Sequence, residues 1–428
     1  MTAIAFGART RSFMRIVFFG ALFFLFAGSS QAVELTYWTS SNPEEIELGR
    51  SLVKQWNQLH PDVQVQMQPI PATQSSEEVL LAAIVSKTTP DVCSNILPAI
   101  MGRFTKSNAV LALDAFPDHE KEIIGRTGKN LTDLFRSRDG KLYQVPWKSN
   151  PVMLVYNTAI FRALGLKPPR TYSEFAKVAE AIAADKKNPG RWAMSVSIKT
   201  TWWQRLFDFY PFYAAATGGR TLLENDKAVF DGAGGVAAMT FFSDGFRKRY
   251  FPMLGFSGNI FLEGRVAMDV AGPWVIKYYH RLKPDFEFDF APIPVPDSYT
   301  GPAYTYGDPK NIVIFSTTKY PKQSWEFVKF LISKEADLKL LQLTNQVPLR
   351  SGIVADPYYG EFFSKNPLLR KAARQAQYVV PTDESPHLVQ ILDIISGQFE
   401  AAAVYGVITP EKSLKIAAKK VQALYDYW

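Results

Sequence analysis

Residues Asp139–Phe175 read DGKLYQVPWKSNPVMLVYNTAIFRALGLKPPRTYSEF, and their order decides the fold. A turn at Gly140 leads into the run Leu142–Val145, followed by Pro146 and Trp147. A second run, Val152–Tyr156, follows Pro151 and feeds a short helix, Thr158–Leu164. Gly165-Leu166-Lys167-Pro168-Pro169 ends that helix, because proline fixes φ and has no amide to donate. Thr171-Tyr172-Ser173-Glu174 then supplies the cap and third-position acid of a new helix start. No residue in the segment is catalytic in type. Two strand runs split by prolines predict a chain crossing from one lobe to another, with Trp147 and Asn150 facing the cleft at the crossing.

Upstream, Val33–Trp38 has the pattern of a strand and Asn42-Pro43-Glu44-Glu45 that of a helix start, with Asn42 at the cap and Glu45 at the third position. Leu48, Leu52, Val53, Trp56 and Leu59 form a helical stripe. Val63–Gln68 alternates as a half-buried strand, Ser76–Ser86 is a helix, and Pro90-Asp91-Val92 opens a third strand. This β-α-β-α-β order predicts a mostly parallel sheet whose ligand loops, Thr39–Asn42 and Ser94–Ile96, lie at the carboxyl ends of the strands. Downstream, single helices are predicted over Thr171–Ala184, Trp202–Ala216, Gly234–Lys248, Lys322–Leu331 and Pro410–Trp428, with a buried strand at Asn311–Phe315. The Pro- and Gly-rich zones Pro146–Pro151 and Ala291–Gly307 are the crossings, with a third near Arg350–Asn366. The first lobe is therefore expected over residues 33–150 and 291–350, and the second over 151–290 and 351–428, with adjacent hinge strands that let the lobes close.

The chain opens on an export signal. Arg9, Arg11 and Arg15 precede the apolar stretch Ile16–Ala27, which is too short to span a bilayer, and Ser30-Gln31-Ala32 has the small-x-small pattern of a cleavage site. Cleavage after Ala32 leaves 396 of the 428 residues, too many for one ordinary core. Removing three arginines from a chain of 48 basic and 40 acidic residues leaves a net charge of +5. That charge is scattered, which excludes a nucleic-acid footprint. Cys93 is the only cysteine, so no intrachain disulfide forms. It is also far from the cleavage site, where a lipid anchor would need it. A soluble, unanchored protein of the periplasm is expected.

Five blocks resemble the bacterial extracellular solute-binding proteins of ABC importers, in the branch that includes the maltose-binding protein. They are Val33–Trp38 with its helix; Thr89-Pro90-Asp91-Val92; the opening segment with Tyr156-Asn157 and Pro168-Pro169; Gly264-Arg265-Val266-Ala267-Met268 with Gly272-Pro273-Trp274; and Pro292-Ile293-Pro294 through Gly307 and Trp325-Glu326-Phe327 to Pro348-Leu349-Arg350. They run in family order across nearly the whole mature chain. The resemblance implies the two-lobe periplasmic-binding-protein fold of type II, a carbohydrate ligand, an ABC permease as partner, no cofactor or metal, and a monomer. It places Trp274 where sugar binders of the family stack a pyranose ring. It also places the Thr39–Glu44 loop, with Ser40 and Glu44, and the Ser94–Ile96 loop, with Asn95, at the site. Asn150 stands where the maltose branch carries an acid, so the ligand is left open.

A sugar presents apolar C–H faces and a hydroxyl rim, so its site needs flat aromatics with converging amides, carboxylates and arginines. Trp274 follows a Gly-Pro break, Trp38 ends the first strand, and Trp202 and Trp203 point in different directions on their helix. Tyr306, Gly307 and Asp308 mark the second crossing. Lys148 or Arg350 would serve an anionic ligand. Enzyme chemistry finds little support. His60, His119, His280 and His387 are far apart, and Gly255-Phe256-Ser257-Gly258-Asn259 lacks the last glycine of a nucleophile elbow. Gly232–Ala237 fits a dinucleotide loop but has no acid about twenty residues on. No acid pair stands out as a glycosidase dyad.

Overall fold

The computed structural model describes residues 32–71 and 76–426. The expected signal segment lies outside them, save for Ala32. No helix among the described residues is long and apolar enough to cross a membrane.

Two α/β lobes are built on separate sheets. The first sheet has six strands in the order Val347–Pro348, Val145–Ser149, Lys310–Ile314, Val92–Ile96, Val33–Thr39, Val63–Pro69. The second has four, in the order Phe288–Ala291, Met153–Asn157, Val266–Ala271, Trp192–Met194. Both are mixed, where the sequence predicts mostly parallel sheets. Two of the five pairings in the first sheet are parallel, and one of the three in the second. Two helical crossovers after Val33–Thr39 give the parallel part. The antiparallel strand Lys310–Ile314 enters from the other lobe, and Val347–Pro348 follows the first-lobe helices Pro321–Leu331 and Lys334–Thr344, a route no local pattern announces.

The N-terminal helix shows how local sequence sets the frame. Asn42 Oδ1 accepts from the amides of Glu44 and Glu45 at 2.9 and 3.2 Å, and Pro43 fills the first helical position. A cap of this kind contributes about 1 kcal/mol. Leu48, Leu52, Val53 and Trp56 are then buried in the first lobe's core, where Trp56 meets Phe327 of the helix Pro321–Leu331 edge to face at 5.3 Å.

In the second sheet the strand alternation splits one apolar run between two cores. Val152 and Leu154 pack with Phe212, Phe242 and Leu392 on one face, while Met153 and Val155 pack with Val266, Tyr279 and Tyr359 on the other. The chain leaves the first sheet at Ser149 and enters the second at Met153, as the opening segment predicts. The return falls later than Ala291. Ile293, Val295 and Tyr306 belong to the second lobe's core, and Thr305–Tyr306 pairs with Val379–Val380, so the first sheet resumes at Lys310. The predicted single helix Trp202–Ala216 is two pieces. A 3-10 turn, Trp202–Leu206, and a helix, Phe209–Thr217, are separated at Asp208, whose carboxylate accepts from the Phe209 amide at 2.5 Å.

Candidate functional site

The carboxyl ends of Val33–Thr39 and Val145–Ser149 and the start of Val347–Pro348 meet where the chain passes between lobes. Glu45, in the first turn of its helix, turns inward and pairs with Lys148, with Oε1 2.5 Å from Nζ. Both are buried. The pairing overrides the capping box expected of Glu45: the Asn42 amide instead donates to Ser40 Oγ at 3.2 Å. Burial alone would raise the Glu45 pKa, but the Lys148 ammonium and the hydrogen bonds around the carboxylate outweigh it and hold the pKa below its ordinary value. Burial pulls the Lys148 ammonium down against the same carboxylate. These shifts favour opposite states of the pair, and the short contact with a second donor on Glu45 decides for the ionised one.

That second donor begins a relay. Gln346 Nε2 donates to Glu45 Oε1 at 2.8 Å. Asn150 Nδ2 lies 3.4 Å from both Gln346 Oε1 and Asp308 Oδ2. Asp308 Oδ1 accepts from the Tyr306 hydroxyl at 3.3 Å and pairs with Lys310 at 3.5 Å. Gly307 lies beneath: its carbonyl accepts from the Asn150 amide and from Ser149 Oγ, both at 2.6 Å. A Cβ there would lie 2.7 Å from Val379 Cβ and 2.9 Å from Ser149 Oγ, so the strands cross this closely only over glycine.

The second lobe adds the aromatic part. Trp274 follows the strand Val266–Ala271 and is 38% exposed. Its ring meets Phe207 edge to face at 5.8 Å, and Phe207 meets Tyr306 at 6.0 Å. The aromatic group and the polar relay are therefore contiguous through Phe207. Beside them a cavity of ≈250 Å³ is lined by Ser195, Lys199, Gln204, Phe207, Asp208 and Asp269, among others. Among the described residues Asp269 has no ion-pair partner; its oxygens accept from the Val270 amide at 2.9 Å and the Tyr279 hydroxyl at 3.2 Å. Burial pushes its pKa up to about 6 against those hydrogen bonds. Asp208 is also pushed by burial to about 6, against the buried Arg205 guanidinium 2.9 Å away.

Of the residues predicted from sequence, Ser40, Asn150, Tyr306, Gly307 and Asp308 fall in or beside the relay, and Trp274 on the aromatic side. Trp203 is 46% exposed and Trp202 packs half-buried on the second core. Trp38 packs half-buried with the opposite core of the first lobe, and Asn95 Nδ2 donates to Ser76 Oγ at 3.1 Å. Trp147 is corrected: it is 2% exposed, inside the first lobe's core, because its strand turns the ring onto that core. Arg350 is corrected too, since its guanidinium is spent on Asp337 and the Ile332 carbonyl, both at 2.7 Å. Lys148 is neutralised by Glu45. Glu44 is half-buried at the helix start, and its neighbour Glu45 joins the relay. Sequence reading missed Glu45, Gln346, Phe207 and Asp269. Only Glu45 had a local signal, and that signal pointed to a cap.

Two lobes meeting over an aromatic face and a polar relay define a cleft-type binding protein. The chain belongs to the bacterial extracellular solute-binding protein family, which it matches over residues 42–337. It is similar to a maltotriose-binding protein of Pyrococcus abyssi (strain GE5 / Orsay), 22% identical over 374 residues, 86% of this chain and 77% of that one. It is also similar to the sn-glycerol-3-phosphate-binding periplasmic protein UgpB of Rhizobium meliloti (strain 1021), 23% identical over 418 residues, 88% of this chain and 91% of that one. Among solved structures, an uncharacterized protein from Listeria monocytogenes EGD-e superposes with a TM-score of 0.84 at 26% identity, over 91% of this chain and 100% of that one.

Proposed function

We propose that this protein is the exported binding component of an ABC importer, which captures a sugar or oligosaccharide between its lobes and hands it to the membrane permease. The observation that carries this reading is the contiguity of an exposed indole, Trp274, with buried amides and carboxylates drawn from both sides of the lobe crossing. The indole offers a flat face for C–H groups, and the relay offers partners for hydroxyls. Relatives named for maltotriose and for arabinooligosaccharide support a carbohydrate. The N-terminal signal pattern supports export to the periplasm, and the position of Cys93 supports a form without a lipid anchor. Ligand bridging the lobes shifts an open–closed equilibrium toward the closed form, and that form docks on the permease as a monomer. The protein acts by binding and cleaves nothing. A thermal-shift screen of mono- and oligosaccharides tests the reading, because a ligand of the folded state raises the melting temperature. At least one saccharide is expected to do so. Release of shorter products from the oligosaccharides would replace binding with hydrolysis.

A further inference from the structure

The strand Val347–Pro348 has the relay at its start, through Gln346, and a groove of ≈750 Å³ at its end, at Leu349 and Arg350. The groove shares no lining residue with the ≈250 Å³ cavity of the second lobe. Thr127–Leu131 forms one wall, from the first lobe, and Arg370, Arg374 and Tyr378 with Tyr304 form the other, from the second. A buried hub holds these walls. The Arg126 guanidinium, 3% exposed, pairs with Asp337 at 2.7 Å and donates to the carbonyls of Pro146, Trp147 and Leu349 at 2.7, 2.8 and 3.1 Å. Its own carbonyl accepts from the Ser351 amide at 2.7 Å. The lining carries four cations, Lys129, Arg350, Arg370 and Arg374, and no carboxylate. Two of the four are spent, Lys129 on Asp133 at 2.6 Å and Arg350 on Asp337 at 2.7 Å. Asp356, just past the groove's last first-wall residues in sequence, is spent on Lys334. Arg370 and Arg374 are exposed and, among the described residues, pair with no acid, although Lys371 between them pairs with Asp289. Thr127, 4% exposed, lines the same groove, and its hydroxyl has no hydrogen-bond partner among the described residues.

We propose that this groove is a second binding site, separate from the cleft, for a small organic anion that carries two or more carboxylate or phosphate groups. Arg370 and Arg374 stand four residues apart on the helix Pro367–Gln375, so both lie on one face, with about 5–6 Å between their Cβ atoms. Each guanidinium is a planar fork that matches the edge of a carboxylate or phosphate with two parallel hydrogen bonds, and the protein supplies an acid to neither. One anionic group satisfies one fork, so a ligand with two suits the pair. The volume is that of a small-molecule site rather than of a single inorganic ion. Leu131, Ile353, Val354 and the edge-to-face pair of Tyr304 and Tyr378, 5.7 Å apart, line the remainder and suit an organic body. The Thr127 hydroxyl has a hydrogen to give to an anionic oxygen. Nothing in this site depends on which solute the cleft takes.

The test is thermal shift and calorimetry on the mature wild-type chain in phosphate-free buffer, with citrate and methylene bisphosphonate set against sodium chloride of equal ionic strength. At least one of the two anions should raise the melting temperature beyond the chloride control and bind at one per chain. The double variant Arg370→Gln/Arg374→Gln changes two exposed side chains, so it should fold as the wild type does and weaken that binding at least about tenfold. Trp274→Ala should leave the anion's affinity unchanged. A shift no larger than that of chloride overturns the assignment, as does one that survives in the double variant or one that Trp274→Ala abolishes. Binding of a polyglutamate peptide where neither small anion binds also overturns it, and would make the groove a docking site for an acidic protein segment.

Discussion

Replacing Trp274 by alanine should cost most of the ligand affinity and little of the fold. The indole is 38% exposed. An aromatic of this size presents up to about 250 Å², so about 95 Å² of ring stands open to a ligand. Covering it at about 25 cal/mol per Å² gives about 2.4 kcal/mol. That corresponds to about a fiftyfold rise in Kd, since about 1.4 kcal/mol is tenfold. The structural loss is smaller, because the ring's aromatic contact is one edge interaction with Phe207, of about 1 kcal/mol. Isothermal calorimetry with the saccharide that gives the largest thermal shift measures the first quantity, and denaturant unfolding of the ligand-free protein the second. Trp274→Phe keeps a smaller face and should fall between the two. A Kd within about threefold of wild type in a folded Trp274→Ala protein would refute the stacking assignment.

Lys148→Met should destabilise the ligand-free protein by about 3–5 kcal/mol, because it leaves the Glu45 carboxylate buried without its counter-ion. The double variant Glu45→Gln/Lys148→Met should recover most of that loss in denaturant unfolding, and a single-variant loss below about 1 kcal/mol would show that the pair is not ionised. Asp269 and Asp383 are both pushed up by burial to about 6, so the folded state holds their protons more tightly than the unfolded one. Their contribution is present below the ordinary carboxylate value of 3.8 and is lost as pH rises to about 6, so between about pH 4 and 6 the slope they impose on stability is negative. Asp269→Asn should remove about 2–3 kcal/mol of that change across the window, at about 1.36 kcal/mol per pKa unit; an unchanged slope contradicts the placement. Gly307→Ala should cost about 1–3 kcal/mol in unfolding free energy and also weaken ligand binding, since its Cβ would push Val379 and Ser149 apart at the crossing.

The crossing itself was legible. Prolines flanking Trp147 and Asn150 separate two runs that enter different sheets, and strand alternation in Val152–Tyr156 accounts for its two cores. The Gly-Pro break before Trp274 announced an indole left partly exposed, as it is at 38%. Trp147 was not legible, because an aromatic beside a proline looks the same whether its ring faces a cleft or a core, and here it joins the first lobe's core. Glu45 fits a capping box, but Lys148, far along the chain, offers a full charge where the Asn42 amide offers a partial one. Gln346 and Asp269 belong to no motif. Their roles come from tertiary neighbours alone: Gln346 through Glu45 and Asn150, and Asp269 through the cavity it lines. The mixed sheets were hidden for the same reason, since Lys310–Ile314 takes its direction from the crossing that delivers it and Val347–Pro348 from the two helices before it.

Native mass spectrometry of the mature chain incubated with a mixture of neutral mono- and oligosaccharides and sugar phosphates tests capture in the cleft most directly. One intact neutral saccharide per chain is expected, with the adduct lost in Trp274→Ala. A chain that stays bare, carries a phosphorylated sugar in preference, or yields shortened saccharides would contradict it.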